Sequence, residues 1–158
     1  MSSGVLSNML PEIGDSRAGE RSRMPLITFS EKFSVKVREI DLQHKKLIDL
    51  INTLFDAMKV GKGNAVLQTV IKELVVYTGY HFSTEEKYMK QFSYPALEKH
   101  REEHKSFVQK VTDLQKEFDG RKVSLSLEVM NFLKEWLTHH ILEVDMAYSS
   151  FFNEKGLK

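Results

Sequence analysis

The stretch "IDLQHKKLIDLINTLFDAM", residues 40–58, carries apolar residues that recur every three or four positions. This spacing places them on one face of an α-helix, as is typical of a helix that packs into a core. His44 lies on the same face, one turn after Ile40 and one turn before Leu47. The stretch therefore predicts a buried helix that carries an imidazole on its core side.

Three further stretches have the same helical period, at roughly residues 64–90, 95–118 and 124–151. Short breaks separate the four stretches, and they read "VGKGN", "QFSYP" and "DGRKVS". Long helices joined by short connections favour antiparallel neighbours. The pattern predicts an all-α protein, an antiparallel up-down-up-down four-helix bundle, and no strand-like alternation competes with it.

The residues before the bundle have a different character. Residues 24–37 lack helical period, and we expect an extended N-terminal arm that packs apolar side chains on the core, namely Leu26, Ile27, Phe29 and Phe33. Residues 1–23 are rich in Ser, Gly and charged residues, which predicts a disordered extension. The predicted organisation is one domain, residues 24–158, preceded by that extension.

The composition excludes several classes of protein. The chain has 23 Lys and Arg against 22 Asp and Glu, so neither a nucleic-acid nor a membrane surface is indicated. Its apolar runs are shorter than the ~20 residues that a membrane span needs. Without cysteine there are no disulfides, thiolate metal sites or cysteine nucleophiles. We expect a soluble, cytoplasmic, monomeric protein without a signal peptide.

Histidines occur where the helical period requires core residues. Five of the six histidines lie on the apolar face of their helix, and Glu85 does too. The five are His44, His81, His100, His104 and His140. A lone histidine of this kind is usually a hydrogen-bonded core residue, but five on four helices would require that coincidence five times. A buried carboxylate without a partner destabilises a protein by several kcal/mol, whereas a metal ion neutralises it. The pattern predicts a buried metal site.

The spacing within each helix supports this prediction. In "HFSTE" His81 and Glu85 are one turn apart, as are the two histidines of "HREEH", residues 100–104. We expect the two acids inside "HREEH", Glu102 and Glu103, to point into solvent. HxxxH alone is a weak signal, but HxxxE, HxxxH and a third histidine–acid pair on three successive helices are together a strong one.

The last helix leaves one choice open, in "THHILEVD", residues 138–145. Neighbouring residues point about 100° apart on a helix, so only one of the two histidines can face the interior. His140 follows the apolar seam, while His139 is expected at the surface beside Glu143. The acid that accompanies His140 could be Glu143 or Asp145. Glu143 has the easier spacing on a regular helix.

The types of ligand narrow the choice of metal. Imidazole and carboxylate without thiolate suit iron, zinc, copper or manganese. Five histidines exceed the three or four protein ligands of a single zinc ion, so two ions fit better. If two carboxylates bridge the ions, one ion keeps a free coordination position. An iron pair with such a position in an apolar pocket suits reversible binding of dioxygen.

Four motifs together resemble the bacterial hemerythrin family: "IDLQHKKL", "HFSTEEKYM", "HREEH" and "WLTHHILEVD", within roughly residues 26–153. The resemblance implies a non-haem di-iron centre, an oxo- or hydroxo-bridged pair of iron ions, that binds dioxygen for storage or delivery. It implies that three histidines hold one iron and two hold the other, with two bridging acids. The first set is His100, His104 and His140, the second is His44 and His81, and the acids are Glu85 and Asp145.

The resemblance thus favours Asp145 over Glu143, although a five-residue step from His140 is about 140° on a regular helix. A π-helical widening near residues 140–145 would reconcile the two, and such bulges are frequent at functional sites. We expect Leu137 and Ile141 to line the dioxygen pocket with Trp136 beside them, although core packing alone would explain Trp136. The supporting residues expected around the ligands are Tyr148 and Gln43.

Two other functions are compatible with these residues. One is a sensor of oxygen or redox state that acts through a partner protein. The other is a di-iron oxidase or an enzyme that handles nitric oxide. Carboxylate-rich di-iron enzymes use Glu-x-x-His pairs, and no such pair occurs in this chain. The sequence therefore favours an oxygen-binding protein that is not an enzyme.

Overall fold

The structure is a computed structural model that describes residues 24–119 and 125–158. Three helices, α1 (Arg38–Lys59), α2 (Gly63–Gln91) and α3 (Leu97–Asp119), are followed by a fourth helical run. The four pack as an antiparallel bundle, and the described residues contain no strand, so the predicted fold class is confirmed. The disordered extension predicted for residues 1–23 lies outside the described residues.

The fourth helical run is not uniform along its length. It begins as α4 (Ser126–Trp136), continues as a π-helix (Leu137–Asp145), and ends as α5 (Met146–Glu154). We refer to the middle part as the π segment. A π-helix is rare and is seen mostly as a short insertion near functional sites. The predicted widening near residues 140–145 is therefore present.

Two apolar clusters fill the bundle. The larger contains Leu47, Leu74 and Leu133, which come from three different helical runs. The smaller contains Ile40 together with Met89, Tyr148 and Phe152. His44 lies between Ile40 of one cluster and Leu47 of the other on the same face of α1. A buried polar layer thus separates the two apolar clusters.

The arm that precedes α1 packs along the bundle, as predicted, but it is not extended throughout, because Glu31–Phe33 form a short 3₁₀ helix. Phe33 is buried, and Leu26, Ile27 and Phe29 are partly buried against the larger cluster. Asn52 of α1 attaches the arm: the backbone N–H of Ile27 donates to Oδ1 of Asn52 at 3.0 Å, and Nδ2 of Asn52 donates to the carbonyl of Ile27 at 2.8 Å. This pair of bonds ties the start of the arm to the middle of α1.

Among residues 24–119 and 125–158, every helix is too short or too polar to span a lipid bilayer.

Candidate metal centre

Seven ionisable side chains meet in the polar layer. All four helical runs contribute, and none of the seven side chains is more than 3% exposed. They are His44, His81, Glu85, His100, His104, His140 and Asp145. These are the seven residues that the sequence proposed as ligands, and the structure brings all of them together.

The π segment decides which acid joins the layer. His140 and Asp145 are both fully buried, although they are five residues apart. Hydrogen bonds in a π-helix join residues i and i+5, so residues five apart lie on the same face. Glu143 is exposed instead and faces His139, whose Nδ1 is 3.3 Å from Oε2 of Glu143. The surface pair expected for these two residues is present.

Glu85 lies between two groups of histidines. Its Oε2 is 2.9 Å from Nε2 of His104 and 3.2 Å from Nε2 of His100. Its Oε1 is 3.6 Å from Nε2 of His81. One carboxylate thus directs its two oxygens to imidazoles on different sides of the layer.

Asp145 repeats this arrangement. Its Oδ1 is 3.0 Å from Nε2 of His140 and 3.2 Å from Nε2 of His100, whereas its Oδ2 is 3.1 Å from Nε2 of His44. Both carboxylates therefore connect a three-histidine group (His100, His104, His140) with a two-histidine group (His44, His81).

The donor atoms fit a pair of cations. The three-histidine group with Glu85, and the two-histidine group with both acids, each place their donor atoms within 4.8 Å of one another. Buried polar atoms are normally hydrogen-bonded. Four donor atoms of the layer are buried without a hydrogen-bond partner among the described residues: Nε2 of His81, of His104 and of His140, and Oδ1 of Asp145. Atoms that converge without bonding to one another are expected where a cation sits between them.

The ionisable groups of the layer shift one another's pKa values. Burial lowers the pKa of His81 to about 4, so its imidazole is neutral near pH 7, the form that binds metals. Burial would raise the pKa of Glu85 and of Asp145, but the surrounding imidazoles outweigh it and hold both pKa values below their usual range. Burial would lower the pKa of His100, yet the nearby carboxylates of Asp145 and Glu85 raise it to about 10. A proton on His100 thus supplies positive charge that a bound cation would replace.

The outer nitrogens of four imidazoles contact fixed acceptors. Nδ1 of His44 lies 3.3 Å from the carbonyl oxygen of Phe33, and Nδ1 of His81 lies 2.7 Å from Oε1 of Gln43. Nδ1 of His104 lies 2.8 Å from Oε1 of Glu86, and Nδ1 of His140 lies 2.8 Å from Oε2 of Glu103. An acceptor at Nδ1 places the proton there and leaves Nε2 free for a metal. The contacts orient these four rings toward the centre of the layer.

Two of these acceptors differ from what the sequence suggested. Gln43 was expected beside a proposed ligand, and its Oε1 contacts Nδ1 of His81. Glu103 was expected in solvent, which is wrong, because its carboxylate accepts the hydrogen bond of His140. Glu86 was not anticipated at all. Each of these two acids directly follows or precedes a proposed ligand, Glu85 or His104, and this adjacency was the available signal.

Tyr148 supports the layer from the smaller cluster. Its hydroxyl is buried and donates to Oε1 of Glu85, the oxygen that faces His81. Burial together with the charges of Asp145 and Glu85 raises the pKa of Tyr148 well above its ordinary value, so the phenol keeps its proton. The expected supporting role of Tyr148 agrees with this contact.

Aromatic rings cover the three-histidine group. Phe82 stacks on His104 with centroids 3.8 Å apart, and Trp136 stacks on His140 with centroids 3.9 Å apart. Trp136 therefore lies beside the three-histidine group. The other two residues proposed for a dioxygen pocket, Leu137 and Ile141, are buried in the larger cluster.

A cavity of about 330 Å³ lies between the arm and the π segment. Leu26, Ile27 and Phe33 line it from the arm, and Leu137 and Leu142 line it from the π segment. Leu137 thus lines this cavity and also belongs to the larger apolar cluster.

The bundle and its buried donor set define a helical metal-binding protein. The chain belongs to the hemerythrin family: the hemerythrin HHE cation binding domain matches residues 35–151. A bacteriohemerythrin of Clostridium acetobutylicum is 31% identical over 78% of this chain and 98% of the relative. One of Methylococcus capsulatus is 31% identical over 79% of this chain and 95% of the relative. The crystal structure of wild-type hemerythrin has a TM-score of 0.71 at 30% identity and covers 79% of this chain and 96% of that chain.

Proposed function

We propose that this protein binds dioxygen reversibly at a non-haem di-iron centre and serves in oxygen storage or delivery. The observation that carries the proposal is the pair of carboxylates, Glu85 and Asp145, each with one oxygen toward either histidine group. Membership of the hemerythrin family supports the identity of the metal.

The proposed ligands are distributed unequally between the two ions. The three-histidine group would hold one iron and the two-histidine group the other, with Glu85 and Asp145 shared between them. The two-histidine side then has one protein ligand fewer, so the exogenous ligand would belong there. When bound, the iron pair supplies the electrons that make dioxygen binding possible.

The protein's own residues keep the site dry and ordered. Every proposed ligand is buried, and the rings of Phe82 and Trp136 cover two of the imidazoles. We infer that Leu137 and Ile141 line the path or the pocket of the small ligand on the apolar side. An apolar surrounding slows the entry of water and the loss of electrons from the site.

We infer a binding protein and not an enzyme, and we place it in the cytoplasm. The donor set is rich in histidine and holds two acids, whereas di-iron enzymes of the ferritin-like kind use several glutamates with Glu-x-x-His pairs. Fewer carboxylates donate less negative charge to the metals, which favours reversible binding of dioxygen over its activation.

A reversible colour change tests the proposed function. Protein loaded with ferrous iron under argon should be nearly colourless, gain a visible absorption band in air, and lose it again under argon. Two iron ions per chain should be found by metal analysis. Irreversible oxidation in air, or binding of a metal other than iron when several are offered, would overturn the proposal.

A pair of variants distinguishes the loss of a metal ligand from general damage to the fold. His44→Ala removes a buried ligand and should abolish the reversible band, whereas His139→Ala alters an exposed residue and should keep it. Equal losses in the two variants would contradict the assignment of the ligands.

A further inference from the structure

Tyr77 is a buried tyrosine on α2, one turn before His81. Its ring is stacked on the imidazole of His81, with centroids 4.8 Å apart and ring planes 22° apart. Its side chain is inaccessible to solvent. Tyr77 therefore lies directly against the two-histidine group.

The hydroxyl of Tyr77 has no hydrogen-bond partner in residues 24–119 and 125–158. Buried tyrosine hydroxyls usually find a partner, and an unpaired one destabilises the fold. Tyr148 provides the contrast, because it is equally buried near the same carboxylates but donates to Glu85. An unpaired donor beside a ligand-binding group calls for an acceptor that arrives from outside the protein.

The number of protein donor atoms in each histidine group also indicates that a small ligand binds on the two-histidine side. Oxygens of Glu85 and Asp145 lie near both histidine groups, so the group with two histidines offers fewer protein donors than the group with three. A small ligand that completes the coordination would therefore bind beside His81, the ring on which Tyr77 is stacked. A diatomic molecule that draws electron density from a metal becomes a better hydrogen-bond acceptor.

We propose that Tyr77 donates a hydrogen bond to the small ligand bound on the two-histidine side, and so slows its release. This inference rests on the proposed dioxygen-binding function and adds a residue that discriminates among ligands. Ligands that accept a hydrogen bond, such as dioxygen, gain from Tyr77, whereas an acceptor-poor ligand does not.

The test replaces Tyr77 by Phe, which removes only the hydroxyl. Tyr80→Phe is the matched control, because Tyr80 lies on the same helix and is 39% exposed. Dioxygen dissociation from the iron-loaded protein is followed by stopped-flow absorbance. We expect dissociation to be about ten- to a hundredfold faster in Tyr77→Phe, the effect of one lost hydrogen bond to a charged acceptor, and unchanged in Tyr80→Phe.

Two further readouts separate a ligand donor from a structural residue. Tyr77→Phe should bind as much iron as the wild type, and the metal-free variant should melt at the same temperature or higher, because an unpaired buried group has been removed. The dissociation rate in heavy water should differ from that in ordinary water for the wild type, and this difference should be smaller in Tyr77→Phe.

The outcomes distinguish this inference from the function on which it rests. If wild-type protein fails to bind dioxygen reversibly, the proposed function fails, whatever Tyr77 does. If the wild type binds dioxygen but Tyr77→Phe releases it at the wild-type rate, the role of Tyr77 is refuted. A lower melting temperature together with lost iron in Tyr77→Phe would likewise refute it and assign the residue to packing.

Discussion

Nε2 of His140 lies 3.0 Å from Oδ1 of Asp145, although the two residues are five positions apart in one helical run. On a regular helix that step would turn the two side chains about 140° apart. The π segment, Leu137–Asp145, removes the conflict, because its wider turn brings positions i and i+5 together. The backbone thus selects the acid that joins His140.

Because the π segment brings Asp145 and not Glu143 to His140, substitutions of these two acids should have unequal effects on iron content. Asp145→Asn keeps the size of the side chain but removes the charge that both histidine groups face, so iron content should fall by at least half. Glu143→Gln changes an exposed residue and should leave iron content unchanged. Metal analysis of the two purified variants provides the check. Loss of iron in Glu143→Gln with retention in Asp145→Asn would reverse the assignment.

The outer carboxylates should control how tightly the metal is held. Glu103→Ala removes the acceptor at Nδ1 of His140 and should weaken metal binding about 10- to 100-fold, as is usual when such a contact is lost. Glu102→Ala is the control, since Glu102 is exposed and pairs only with Lys105 in the described structure. Competition with a chelator of known affinity measures the difference. Identical affinities in the two variants would show that Glu103 does not orient the ring.

Replacing each of two glycines of α2 by alanine should change the free energy of unfolding in opposite directions. A Cβ at Gly63 would lie 2.9 Å from Cγ of Met58 and 2.9 Å from Cβ of Ser126, so Gly63→Ala should lower the free energy of unfolding by about 1–3 kcal/mol. A Cβ at Gly79 would meet no atom within 4 Å, and Gly79→Ala should raise it by about 0.5–1 kcal/mol, since alanine favours the helix. Urea unfolding of the metal-free proteins tests both signs. A destabilised Gly79→Ala variant would contradict the open space at this position.

The attachment of the arm to the bundle should depend on a single side chain of α1. Asn52→Ala removes both hydrogen bonds to Ile27 and should lower the free energy of unfolding by about 1–3 kcal/mol. Detachment should also expose the backbone near Ile27, so limited proteolysis there should become faster than in the wild type. Thr53→Ala, at the exposed neighbouring position, should leave the rate of proteolysis unchanged and should not lower the free energy of unfolding. An arm that resists the protease in Asn52→Ala would show that its apolar contacts suffice.

The places where prediction from the sequence failed share a physical cause. Glu103 and Glu86 lie beside the apolar face, where periodicity predicts solvent exposure. Their long side chains nevertheless reach inward to imidazoles of the fourth helical run and of α3. A contact of this kind depends on the distance between helices, which no single helix encodes. The unpaired hydroxyl of Tyr77 can likewise be recognised only when its neighbours in the packed bundle are known.

Periodicity was sufficient to predict four helices, their antiparallel order, and the inward position of five histidines and Glu85. It sufficed because an α-helix repeats so regularly that position along the chain determines the face on which a residue lies. The choice of Asp145 over Glu143 from the residues alone was not possible, since a regular helix favours Glu143. The tertiary structure decided it through the π segment, where the local departure from the regular repeat changes which residues share a face. Pairing each imidazole with its outer acceptor likewise required the packed bundle, because those partners come together only when helices distant in sequence are in contact.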